Sequence, residues 1–153
     1  MIKNTFHRDN AFGKKYERLS LNYIDDYIQI VVAPDCKFSA YDYKVIHTNN
    51  PNKWVRYEVK TDRQCYRTGN FFIETHNKNG TPSGLLLTKS DNYILIVVDL
   101  HLNIEDLYII PTQKIREFYN NGNHTYRSIE GLTTCANGFL LPRKELDEIT
   151  VIG

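Results

Sequence analysis

The stretch Tyr93–Leu100 constrains this chain most, because it is apolar almost without interruption, with Asp99 as the one charge inside it. A half-exposed strand alternates apolar and polar residues, whereas a near-continuous run of β-branched and aliphatic side chains reads as a strand covered on both faces. The run is far short of the ~20 apolar residues that cross a bilayer. The expectation is a central strand in a layered, soluble fold, with no membrane partner.

The neighbouring segments supply the layers. Phe12, Tyr16, Leu19, Tyr23 and Tyr27 step by helical spacing, which predicts a helix from Phe12 to Tyr27 with Lys14-Lys15 and Asp25-Asp26 largely off its apolar stripe. Tyr27–Ala33 then reads as a strand closed by Pro34-Asp35. Two alternating runs, Tyr41–His47 and Trp54–Thr61, flank the turn formers Thr48-Asn49-Asn50-Pro51-Asn52 and predict an antiparallel hairpin.

Further strands are expected at Phe71–Thr75, Leu107–Ile110 (stopped by Pro111) and Gly138–Leu141, with a loop over Asn79–Gly84. Thr112 is placed to cap a helix through Ile115, Phe118 and Tyr119 that ends near Asn121-Gly122. Pro142 opens a short helix containing Leu146 and Ile149. No repeat or linker interrupts the chain, so residues 1–153 read as one α/β domain, with a central mixed, largely antiparallel sheet flanked by helices.

Charge and cysteines bound the function loosely. The net charge of +1 carries no global signal for nucleic acid, yet a local acidic metal site beside a local basic surface would cancel in that total. Cys36, Cys65 and Cys135 are odd in number and show no C-x-x-C, which fits a reducing, cytoplasmic setting rather than a disulfide framework. The five histidines (His7, His47, His76, His101, His124) form no zinc-like spacing. The N-terminal residues lack the apolar core of a signal peptide.

Chemistry concentrates in Trp54–Asp62. Strand alternation sets Glu58 and Lys60 on one face and Val55, Tyr57 and Val59 on the other. E-x-K alone is a weak signal. A turn centred near Asn50, however, sets Asp42 directly across from Glu58, and opposed side chains share a face at ~5 Å. Two like charges so placed need compensation, and a divalent ion such as Mg²⁺, with Mn²⁺ as a substitute, supplies it through oxygen ligands: Asp42, Glu58 and the Val59 carbonyl. Lys60 is then positioned to orient water or to stabilise charge developing on phosphorus. The competing reading is a solvated ion-pair cluster on an exposed sheet face.

The run Tyr57-Glu58-Val59-Lys60-Thr61-Asp62, followed by Thr68-Gly69-Asn70-Phe71-Phe72-Ile73-Glu74, resembles the PD-(D/E)XK nucleases found in many phages and mobile elements. Pro82-Ser83-Gly84-Leu85 and Thr88–Tyr93 extend the likeness, which fades at Phe139–Pro142. The resemblance implies a restriction-endonuclease-like fold and a Mg²⁺-dependent endonuclease acting on DNA, with branched or junction DNA as a candidate substrate. Asp42, Glu58 and Lys60 match the motif's two acids and its lysine, and Glu17 looks like the helical glutamate of many members.

A literal Pro-Asp stands at Pro34-Asp35, but hairpin geometry sets Asp35 beyond the E-x-K pair, and members commonly lack that proline. Arg67, Asn70, Ser83 and Lys89, with Thr68, Gly69 and Gly84 around them, fall where DNA contacts are expected. Arg67 and Lys89 read equally as ordinary surface charge, Glu17 as a solvated helix acid beside Lys14 and Arg18, and Glu74 as a salt-bridge partner or a metal contact. A homodimer follows from analogy with structure-selective nucleases. The alternative function is a non-catalytic nucleic-acid- or partner-binding protein on a nuclease-like fold.

Overall fold

Burial decides the architecture, and it is complete on the strand made from the long apolar run. In the computed structural model, which describes residues 3–33, 40–122, 124–130 and 135–146, Tyr93 to Val98 are all buried. This strand belongs to a five-stranded sheet of β1 (Tyr27–Val32), β2 (Tyr43–His47), β3 (Trp54–Asp62), β5 (Asn92–Val98) and β6 (Ile104–Pro111), in that spatial order. A second sheet holds β4 (Asn70–Asn77), β8 (Cys135–Pro142) and β7 (Thr125–Glu130), with β8 central. The helices are α1 (Lys3–Ser20), α2 (Cys65–Thr68) and α3 (Thr112–Asn120).

Alternation along β5 gives each face its own core. Ile94, Ile96 and Val98 join Tyr43, Val45, Tyr57 and Leu107 beneath Tyr16 of α1, with Phe12 and Leu19 packed alongside. Tyr93, Leu95 and Val97 join Phe71, Ile73, Phe139 and Leu141 of the second sheet and Ile115 of α3. A strand sandwiched in this way tolerates no polar side chain, which is why its sequence is unbroken. The class is α/β, as the sequence predicts.

The hairpin forms in the predicted register. Tyr43 faces Tyr57, Lys44 faces Arg56, Val45 faces Val55 and Ile46 faces Trp54. β3 then pairs in parallel with β5, Glu58 opposite Tyr93 and Lys60 opposite Leu95, so the strand carrying E-x-K is interior. β5–β6 and β1–β2 are antiparallel, which makes the sheet mixed.

Several expectations are corrected. The first helix ends at Ser20, not Tyr27: the Ser20 hydroxyl turns back to the Glu17 carbonyl (2.6 Å) and meets the Tyr43 hydroxyl (2.8 Å). A 3-10 turn over Leu21–Tyr23 and Asp26 at φ 49° lead into β1, where pairing with β2 outweighs the helical spacing of the tyrosines. β5 stops at Val98 because Asp99 accepts main-chain hydrogen bonds from His101 and Asn103 and closes a turn. β7, with its largely polar sequence Thr-Tyr-Arg-Ser-Ile-Glu, has no apolar signal and is recognised only through its pairing with β8. The expected C-terminal helix is a 3-10 turn over Arg143–Glu145, and Ile149 lies outside the described residues. Pro34-Asp35, Cys36 and the side chains of His7 and Cys135 also lie outside them. No described helix is long and apolar enough to cross a membrane.

Candidate active site

Main-chain geometry at the end of β2 builds the site. β2 stops at Tyr43, while β3 continues to Asp62. Asp42 therefore bridges the gap with its own atoms: its N–H donates to the Tyr57 carbonyl (2.9 Å), and its Oδ2 accepts from the Val59 N–H (2.7 Å). The regular register ends at Tyr43 opposite Tyr57. Beyond it the Asp42 N–H also takes the Tyr57 carbonyl, so Asp42 is not paired directly across from Glu58 as expected, although the Glu58 charge still acts on it. The N–H and C=O of one strand residue leave by the same edge, so the Val59 carbonyl also points toward Asp42.

Alternation separates chemistry from core on β3. Tyr57, Val55 and Val59 pack toward α1, while Glu58 and Lys60 project from the opposite face and pair with each other at 3.1 Å. The Glu58 side chain is 15% exposed and that of Lys60 42%, so the acid is sheltered and the lysine side chain is exposed only in part.

Burial, then the neighbouring Glu58 charge, pushes the Asp42 carboxyl from 3.8 up to about 7; the Val59 N–H and Lys60 partly oppose the rise. The Lys60 ammonium is held above its usual range, chiefly by Glu58 and against the cost of burial. Glu17 on α1 also acts on Asp42, more weakly than Glu58 or Lys60, and lines a hollow of about 400 Å³ with Tyr43, Lys14 and Val32. All four predicted catalytic residues thus share one electrostatic neighbourhood.

Among the described residues no group of three or more His, Cys, Asp and Glu is arranged to hold a metal. The donor set on offer is two carboxylates and the Val59 carbonyl. It fits Mg²⁺, which keeps several waters and takes one or two carboxylates. The raised Asp42 is the supporting observation: a partly buried carboxyl beside a second anion is a place that favours a cation.

Beside Lys60 opens a cleft of about 570 Å³, bounded by the end of β3, α2, β4 and β8. Lys60, Arg67, Thr68, Asn70 and Glu74 all line it. Lys89 is exposed elsewhere on the rim of the acidic site, its N–H bonded to the Ala40 carbonyl (3.0 Å) two residues before Asp42. Ser83 departs from the expected role of phosphate contact: its N–H donates to the Thr75 carbonyl (2.9 Å), and its hydroxyl oxygen is buried. It shapes the loop over β4 and leaves the cleft surface to others.

Three positioning residues escape sequence reasoning. Asp62 ends the Glu-Val-Lys-Thr-Asp run and binds three main-chain N–H groups: Gln64 (2.7 Å) and Cys65 (3.0 Å) through one oxygen, Phe72 (3.1 Å) through the other. It thereby ties β3 to α2 and to β4. An aspartate two residues before Gln64 was the available signal, since such residues start short turns. Arg116 on α3 donates to the Thr88 carbonyl (2.9 Å), bracing the segment before Lys89. Tyr93, buried opposite Glu58, adds a phenol to the site's wall. Neither arginine nor tyrosine carried a local signal, because each acts across the fold.

Compared with known protein families and with curated proteins, the chain matches no family model and no curated protein.

Proposed function

We propose that this protein is a metal-dependent nuclease of the PD-(D/E)XK kind that hydrolyses DNA phosphodiester bonds. The observation that carries the reading is the meeting of Asp42, just before β2, with Glu58 and Lys60 on β3: a partly buried acid pair, an ammonium 3.1 Å from one acid, and a cleft lined by basic residues beside that ammonium. A merely solvated ion-pair cluster would not shelter its acid, whereas the Glu58 side chain is only 15% exposed.

Asp42, Glu58 and the Val59 carbonyl would hold a divalent cation, which would supply Lewis acidity toward the phosphate and a more acidic water than bulk solvent. Glu58 holds the Lys60 ammonium in place, so that a full positive charge faces the phosphate as negative charge develops on it. The Val59 N–H fixes the Asp42 carboxylate and stops it from rotating away. Arg67 contacts the DNA backbone and sets its position along the cleft.

The test is cleavage of linear, flapped and four-way-junction DNAs with and without Mg²⁺, wild type against Lys60→Ala. Lys60→Ala is expected to slow cleavage by ~10² or more, because the contact acts mainly in the transition state. Its thermal stabilisation by Mg²⁺ should persist, since an amine is no metal ligand. Equal cleavage by both proteins rejects the mechanism. No cleavage by wild type in Mg²⁺ or Mn²⁺ turns the reading to a binding protein.

A further inference from the structure

We infer that the cleft beside Lys60 receives a single unpaired nucleotide, its base against Phe72 and its phosphate at Lys60. The fate of that phosphate rests on the nuclease reading; the binding itself does not.

The wall residues carry the argument. Along β4, Phe71 and Ile73 are buried in the core between the sheets, so Phe72 points the opposite way, onto the outer face of the second sheet. There it stands directly across from Leu140 of β8, and both line the cleft. A phenylalanine and a leucine facing each other across neighbouring strands, outside the core, make an apolar floor in an otherwise polar hollow.

Around that floor the groups are of another kind. Arg67 and Lys60 bring positive charge, and both are held in place: the Arg67 guanidinium donates to the Gln64 side chain (2.9 Å), and Lys60 pairs with Glu58. Arg63, a further lining residue, lies with its guanidinium 3.7 Å from the centre of the Phe12 ring. Asn70 brings an amide to the same wall. Cations and an aromatic floor in one hollow match the two halves of a nucleotide, phosphate and base.

Size and charge narrow the class. A volume of about 570 Å³ falls among hollows that receive small organic molecules, the size of one nucleotide. A paired base has its faces stacked and its pairing edge taken, so only an unpaired base can lay a face on Phe72. Glu74 lines the cleft four residues farther along β4 than Asn70. Its carboxylate repels phosphate there and leaves Lys60 and Arg67 as the place for the backbone. The substrate class is therefore DNA with an unpaired segment, such as a flap, a single strand or a junction's open centre, in preference to uniform duplex.

The experiment measures binding apart from cleavage, by fluorescence anisotropy with Ca²⁺ in place of Mg²⁺. The probes are labelled oligothymidylate, a blunt duplex and the same duplex with a single-stranded tail. Wild type is expected to bind the oligothymidylate and the tailed duplex at least tenfold tighter than the blunt one. Phe72→Ala should lose about tenfold on the first two and nothing on the blunt duplex, as expected for one stacked base. Phe72→Tyr should retain the preference, and Leu140→Trp, which fills the hollow, should abolish it. Melting curves of each variant confirm that the fold persists. Equal wild-type affinity for blunt and single-stranded probes overturns the inference, as does single-strand affinity that stays within twofold in both Phe72→Ala and Leu140→Trp. If the preference depends on Phe72 while no DNA is cut in Mg²⁺, the nuclease reading fails and the nucleotide cleft stands.

Discussion

Replacing Asp42 by asparagine removes a charge while keeping the oxygen that the Val59 N–H requires, so the variant isolates the electrostatics of the site. In the folded chain the Asp42 carboxyl is raised from 3.8 to about 7, by burial first and by Glu58 second. The folded protein therefore holds a proton that the unfolded chain has released through that window. Stability of the metal-free protein must fall as pH rises from about 4 to 7, and then level off. A rise of this size corresponds to roughly 4 kcal/mol at full ionisation. Asp42 is only partly buried and water relaxes around it, so roughly 2–4 kcal/mol is the working expectation.

The neutral amide of the variant escapes that cost. In EDTA at pH 8, Asp42→Asn should be the more stable protein by that amount, about 5–15 °C in Tm for a chain of this length. At pH 4 the two should melt together. Millimolar Mg²⁺ should restore wild type at pH 8, help it less at pH 5 where a proton competes, and leave the variant unmoved. The assay is a thermal melt across pH 4–8.5, with EDTA and with Mg²⁺. A Tm difference in EDTA that stays constant with pH refutes the buried acid pair. An equal Mg²⁺ shift in both proteins places the metal elsewhere.

Two further outcomes concern the scaffold. Gly84→Ala should cost roughly 2–4 kcal/mol, read by urea or thermal unfolding, because φ is +50° there and an added Cβ would lie 2.3 Å from the Glu74 carbonyl oxygen. Asp62→Ala should cost roughly 2 kcal/mol by releasing three main-chain donors, and faster amide exchange at Gln64, Cys65 and Phe72 checks it.

How much of this was legible in the sequence follows from where each signal resides. The register of β2 and β3 was readable from Tyr43 to Ile46 because a strong turn fixes it and alternation propagates it, while the break at Asp42, whose N–H takes the Tyr57 carbonyl, carried no signal. The unbroken apolar run announced a strand covered on both faces, and β5 is one. β4 and β8 were read as strands, but that they form a second sheet with β7 was hidden, because which strands pair is decided across the fold. β7 is largely polar, and its Tyr126 is 64% exposed, so only pairing with β8 makes it a strand. The helix end at Ser20 was hidden for a related reason, since the Tyr23 and Tyr27 spacing is helical while their partners lie in the sheet. At the site, the placement of Glu58 and Lys60 on one face was legible through alternation, and the long-range contacts of Arg116 and Tyr93 were not.

The early end of β2 has a consequence for how this chain can vary. The ladder along β3 is completed at Val59 by a side chain where another strand residue would ordinarily stand. Two more regular residues on β2 would bring position 41 opposite Val59 and take its amide into ordinary strand pairing. One fewer would carry Asp42 out of reach and leave that amide bare. The length of the connection entering β2 is thus as exacting as the identity of the acid, and insertions there should be tolerated less well than in the turn at Asn50, where the chain is exposed on both sides of the bend.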